Sequence, residues 1–172
     1  MDAQDRLESI AAKIKGVILD VDGVLTNGQI IYSDRGEEIK SFHVQDGTSI
    51  KLLQQHGIEV AIISGRNSPA VTRRAEELGI KHIQQGAGNK SQALDTLQAA
   101  GFCADNLCAI GDDLADLELF ARSDVIFRVT VANGHPTVLT RADLVTQRNG
   151  GNGVIVELAE FILKAQKSWD FA

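Results

Sequence analysis

Cysteine, positive charge and long apolar runs are all scarce in this chain of 172 residues. Its two cysteines, Cys103 and Cys108, are too few for a thiolate zinc cluster or a disulfide framework and read as semi-buried thiols. The four histidines, His43, His56, His82 and His135, are scattered and lack HExxH-type spacing, so a histidine metal site is not expected. Lys and Arg number 17 against 23 Asp and Glu, a net charge of −6, which argues against a nucleic-acid partner. No run reaches the ~20 apolar residues of a membrane span, and residues 1–15 lack an apolar signal core. No membrane partner and a cytoplasmic location are the expectations. What is present is ordinary for a globular protein, 44% hydrophobic and 23% charged, and residues 1–172 fit one domain.

The apolar pattern alternates between two periods. A leading helix is expected over 5–15, from Leu7, Ile10, Ala11 and Ile14. The run Gly16-Val17-Ile18-Leu19 then reads as a buried strand ending in Asp20-Val21-Asp22. Residues 29–32 and 38–44 flank Ser33-Asp34-Arg35-Gly36 and read as a β-hairpin. Helices follow over 48–56, 68–78, 90–100, 114–121 and 153–164, and strands over 59–63, 81–84, 107–110, 125–131 and 142–145. This order predicts an α/β fold: a Rossmann-like open parallel sheet with helices on both faces, plus a β-hairpin insertion after the first strand.

In such sheets ligands bind beyond the carboxyl ends of the strands. Here those ends carry Asp20 and Asp22, then Ser64, then Asp112 and Asp113, while Lys90 opens a helix. Asp20 can attack phosphorus directly, and Asp22 can protonate the leaving oxygen and later deprotonate water. Acids crowded this closely need a cation, and Mg²⁺ favours oxygen ligands. Its expected ligands are Asp20, Asp112 and the Asp22 carbonyl, with Asp113 and Asp116 nearby as further ligands or supports. Ser64 and the N–H groups after it, starting at Gly65, suit phosphate oxygens. Lys90 can neutralise the phosphoryl charge.

Four motifs in this order resemble the haloacid dehalogenase superfamily of phosphotransferases. They are Asp20-Val21-Asp22-Gly23-Val24-Leu25-Thr26, Ser64-Gly65-Arg66, Asn89-Lys90 and Gly111-Asp112-Asp113-Leu114-Ala115-Asp116. The resemblance implies Asp20 as nucleophile, Asp22 as acid/base, Ser64 and Lys90 on phosphate, and Asp112 on magnesium. Larger members insert cap domains between the motifs. The intervals here hold only the hairpin and one helix, or one helix and a strand, so no cap domain is expected.

A narrower resemblance, over residues 16–158, is to the 3-deoxy-D-manno-octulosonate 8-phosphate phosphatases. It rests on the hairpin, Phe42-His43-Val44-Gln45-Asp46-Gly47, Ala132-Asn133-Gly134-His135-Pro136 and the glycine-rich segment before the last helix. It implies a phosphorylated sugar acid as substrate and a homotetramer whose hairpins associate. It also implies substrate contacts from His43, Val44, Gln45, Asp46, Gly47, Lys51, Arg66 and Arg74. The chain departs from that family at Thr48-Ser49, at Arg128 and Thr130, and at Val156, where an arginine is common. A related nonulosonate 9-phosphate, or another sugar phosphate, is therefore the alternative substrate. A non-catalytic or receiver-like phosphate-binding module and a capless mutase are more distant alternatives.

Overall fold

The structure is a computed structural model that describes residues 2–103 and 105–171. Its centre is a six-stranded parallel sheet in the order β5-β4-β1-β6-β7-β8. The strands are β1 (Gly16–Leu19), β4 (Glu59–Ile63), β5 (His82–Gln84), β6 (Leu107–Gly111), β7 (Val125–Thr130) and β8 (Leu144–Val145). A separate antiparallel pair, β2 (Ile31–Tyr32) and β3 (Glu38–Ile39), forms the hairpin. The helices are α1 (Ala3–Ala11), α2 (Val44–Gln55), α3 (Pro69–Leu78), α4 (Lys90–Ala99), α5 (Leu117–Phe120), α6 (Pro136–Leu139) and α7 (Val154–Ala165).

Both sheet faces are dry, which is why the central strands read as unbroken apolar runs. Successive side chains on a strand point to opposite faces. Val17 and Leu19 of β1, Val60 and Ile62 of β4, and Cys108 and Ile110 of β6 join one core with α1, α2, α3 and α7. Ile18, Ala61, Ile63, Leu107 and Ala109 join the other with α4 and α5. Each fully buried Leu or Ile contributes about 1.5–3 kcal/mol, so the central strands are the rigid part of the fold.

The register brings the strand ends level. Leu19 pairs with Ile62 on one side and Ile110 on the other. Asp20, Ser64 and Asp112 therefore emerge together from three adjacent strands.

Local differences from the sequence expectation have physical causes. Helix α2 begins at Val44, four residues before the expected start at Thr48. His43 caps it, its ring Nδ1 accepting from Gln45 N at 3.3 Å. Gly47 inside that helix lets the Arg74 guanidinium lie close against its backbone, where a Cβ would push the guanidinium aside. The strand expected over 38–44 is correspondingly reduced to Glu38–Ile39. The helix expected over 114–121 divides into a 3-10 turn at Leu114–Asp116 and α5. Helix α6 is an addition: Pro136 occupies its first turn, and His135 Nδ1 accepts from Thr137 N.

Candidate active site

Asp20 follows β1 and is nearly buried. The chain then makes a tight loop over Val21–Leu25, turning at Gly23 with φ +96°. Only glycine suits this turn, because φ is positive and a Cβ would overlap the Asp112 carboxylate. Thr26 closes the loop, its Oγ1 accepting from Gly23 N at 3.3 Å. The glycine-rich segment lies against the same loop, with Gly150 over Gly23 and Gly151 over Thr26 and Asn27.

Lys90 joins the acids. It begins α4, whose N-cap Asn89 accepts from Gln92 N at 2.9 Å. Its Nζ lies 2.7 Å from Asp20 Oδ1 and 2.6 Å from Asp116 Oδ1, and all three side chains are buried. Burial alone would lower the lysine pKa, but the two carboxylates reverse that and raise it. Asp116 is a structural centre of the motif: its Oδ2 accepts from the Asp112 and Asp113 N–H groups at 3.0 and 3.1 Å. Asp113 is exposed and caps the following turn, accepting from Leu114 N at 2.7 Å.

One carboxylate oxygen each from Asp20, Asp112 and Asp116 lie within 4.8 Å of one another. Burial, then Asp116, pushes the Asp20 pKa well up. The same two causes raise Asp112 to about 6. One lysine does not balance this group, and Asp112 Oδ1 is buried without a hydrogen-bond partner. An all-oxygen donor set with an orphaned carboxylate oxygen and excess negative charge fits a hard divalent cation. Asp116 already uses both oxygens on protein donors, so Asp20 and Asp112 are the carboxylates free to hold it.

Ser64 is buried at the end of β4, with Arg66 N donating to its Oγ at 3.3 Å. Gly65 is exposed beside it. The remaining substrate candidates divide. Asp46 is 3% exposed, and its Oδ1 accepts from Ile155 N at 2.8 Å, which ties α2 to the start of α7. It spends its charge on a helix N-terminus rather than presenting it to solvent. His43, Gly47 and Arg74 gather beside it, with Arg74 5.9 Å above the Phe42 ring. Val44, Gln45 and Lys51 are exposed along α2.

Arg66 is held by the hairpin. It donates to Glu38 Oε2 and, at 3.5 Å, to Tyr32 Oη. Lys40 extends the array, with Nζ 2.5 Å from Asp22 Oδ1 and 2.5 Å from Glu38 Oε1. The Glu38 contact is an ion pair by distance without hydrogen-bond geometry. Sequence reasoning did not single out Lys40 or Glu38. Their alternation with the outward Ile39 is the signal that was available.

With this geometry in view, the relatives are decisive. Residues 82–158 match a haloacid dehalogenase-like hydrolase family. The chain is 44% identical over 164 residues to the 3-deoxy-D-manno-octulosonate 8-phosphate phosphatase of Haemophilus influenzae, covering 95% of this chain and 88% of that protein. It belongs to that phosphatase family. A Yersinia pestis phosphatase of the same name superposes with a TM-score of 0.92 at 40% identity, covering 98% of this chain and 90% of that one. The Moraxella catarrhalis phosphatase was solved in complex with a magnesium ion, a phosphate ion and a KDO molecule. It superposes with a TM-score of 0.90 at 43% identity, covering 96% of this chain and 95% of that one. As a family member, the chain is a phosphatase with the open parallel fold described above.

Proposed function

We propose that this phosphatase releases phosphate from 3-deoxy-D-manno-octulosonate 8-phosphate through an aspartyl-phosphate on Asp20. The observation that carries the reading is the buried group of Asp20, Lys90, Asp112 and Asp116 at the strand ends. Its likeness to the magnesium-, phosphate- and KDO-containing Moraxella protein supports the substrate.

The residues divide the work by chemistry. A magnesium ion held by the Asp20 and Asp112 carboxylates and the Asp22 carbonyl would offset the phosphoryl charge. Ser64, the Gly65 N–H and Lys90 hold the phosphoryl oxygens. Asp20 attacks phosphorus, the bond to the sugar oxygen breaks, and the Asp22 proton goes to that oxygen. Asp22, now ionised, takes a proton from water as the water attacks phosphorus. Phosphate leaves and Asp20 is restored.

The hairpin carries four exposed large apolar side chains, Ile30, Ile31, Tyr32 and Ile39. Such a patch on a protruding element favours burial against other copies. It supports a homotetramer assembled through hairpins, which would shelter a site that no cap covers. Action in the cytoplasm belongs to the same proposal, and the free thiols Cys103 and Cys108 suit a reducing compartment. No helix among the described residues is long and apolar enough to cross a membrane.

The test is phosphate release from a panel of sugar phosphates, with Mg²⁺ and with EDTA. It includes a nonulosonate 9-phosphate, because Val156, in the first turn of α7, stands where the family resemblance leads one to expect arginine. The octulosonate 8-phosphate is expected to give the highest kcat/KM. Preference for the nine-carbon ester would transfer the assignment to that substrate, and no release from any ester would end the enzymatic reading.

A further inference from the structure

The hairpin meets the site through a lysine that neither the general phosphatase chemistry nor the motifs require. Strand alternation turns Ile39 outward and its neighbours Glu38 and Lys40 inward. Ile39 is 49% exposed, whereas the Lys40 side chain is 3% exposed. A lysine side chain this enclosed loses hydration that its partners must replace, so this is not a solvated surface charge. Its partners are Asp22 Oδ1 and Glu38 Oε1, each at 2.5 Å.

The Asp22 contact is specific to one oxygen. Lys40 holds Oδ1, and among the described residues no protein hydrogen bond reaches Oδ2. One carboxylate oxygen is thus anchored and the other is left for proton transfer. Glu38 anchors Lys40 in turn and also binds Arg66, which is itself tied to Tyr32 on the outward apolar patch. A continuous set of contacts runs from that patch to the acid/base.

We propose that Lys40 is a positioning residue for Asp22, through which hairpin assembly is coupled to turnover. The inference rests on the proposed function, in which Asp22 is the acid/base and hairpins from other copies cover the patch. In that arrangement the hairpin that shelters the site on assembly is also the element that holds the acid/base.

The test compares wild-type protein with Lys40→Met and Lys40→Arg, using octulosonate 8-phosphate with Mg²⁺ and light scattering for oligomeric state. Lys40→Met is expected to lower kcat about a hundredfold, the scale of a misplaced catalytic group, with a much smaller change in KM. Lys40→Arg should recover at least a tenth of the wild-type kcat. An unchanged kcat, a change confined to KM, or no recovery by arginine would each overturn the proposal. Should Lys40→Met not assemble, Glu38→Gln decides: a reduced kcat in the assembled variant supports the inference, and a wild-type kcat refutes it. Coupling is read from the Ile31→Asp/Ile39→Asp variant, which should dissociate and lose kcat. Adding Lys40→Met to it should then have little further effect, whereas an undiminished further loss would show that Lys40 acts independently of assembly. An inactive wild-type protein would instead refute the proposed function, so the two failures are separable.

Discussion

Lys90 lies buried against Asp20, Nζ to Oδ1 at 2.7 Å, although the two residues are 70 positions apart. The pair is the electrostatic centre of the site. Of the three clustered acids Asp20, Asp112 and Asp116, Asp112 is left with an unpartnered buried oxygen. Charge balance thus links Asp20, Lys90 and Asp112, the proposed nucleophile, phosphate-binding lysine and metal ligand.

Lys90→Met should remove that balance. Breaking a buried pair by deleting one partner costs about 3–5 kcal/mol, and both side chains here are under a tenth exposed. Phosphate release should fall about a hundredfold or more. Mg²⁺ should raise the variant's melting temperature more than the wild type's, because the unbalanced acids then rely on the ion alone. Thermal melts with Mg²⁺ and with EDTA measure this, and an equal or smaller Mg²⁺ shift would contradict the account.

Asp112→Asn should have the opposite signature. Burial and Asp116 raise the Asp112 pKa to about 6, above its unfolded value of about 3.9, so ionising it costs stability as pH rises. The neutral amide should make the metal-free protein more stable at pH 8 and abolish most of its response to Mg²⁺. For the wild type, Mg²⁺ at a hundred times its Kd contributes about 2.7 kcal/mol. Urea midpoints in EDTA and in Mg²⁺ separate the two effects; a variant that still gains the wild-type increment would remove Asp112 from the metal site.

The acids were legible because each ends a buried apolar run, a pattern contained within a few residues. Lys90 was legible from its place at a helix start, together with the family's motif order. The Lys40–Asp22 pair was not, since it depends on how an 18-residue loop closes. The role of Asp46 was also hidden, because its partner, the N–H of Ile155, is 109 positions away. The start of α2 was obscured by Gly47 and the β-branched Val44 and Thr48, all weak helix formers. The His43 cap and packing against Arg74 outweigh those propensities.

Gly23→Ala tests the turn that follows Asp20 and Asp22, the proposed nucleophile and acid/base. Its φ of +96° is costly for alanine, and the added methyl would displace the Asp112 carboxylate. A loss of about 1–3 kcal/mol is expected from backbone strain. Activity should fall further than stability does, because the displaced Asp112 carboxylate is the proposed metal ligand. Parallel urea titrations and kcat measurements in saturating Mg²⁺ provide the comparison; near wild-type activity would mean that the loop is not constrained as described.

Arg122 and Asp124 offer a pH test outside the cluster of Asp20, Asp112 and Asp116. The guanidinium donates to both carboxylate oxygens, at 2.9 and 2.8 Å, and the two side chains are 17% and 18% exposed. These bonds hold the Asp124 pKa below its ordinary value, so the folded state binds this proton less readily than the unfolded chain. The resulting stability is fully present above the unfolded value of about 3.9 and is lost as pH falls through the lower folded value. Asp124→Asn removes the charge-assisted bonds and should cost about 2 kcal/mol at pH 7. The gap between variant and wild type should narrow as both are taken into acid. Urea unfolding at a series of pH values reads that gap directly. A gap independent of pH would assign the loss to packing around Arg122 rather than to the ionised pair.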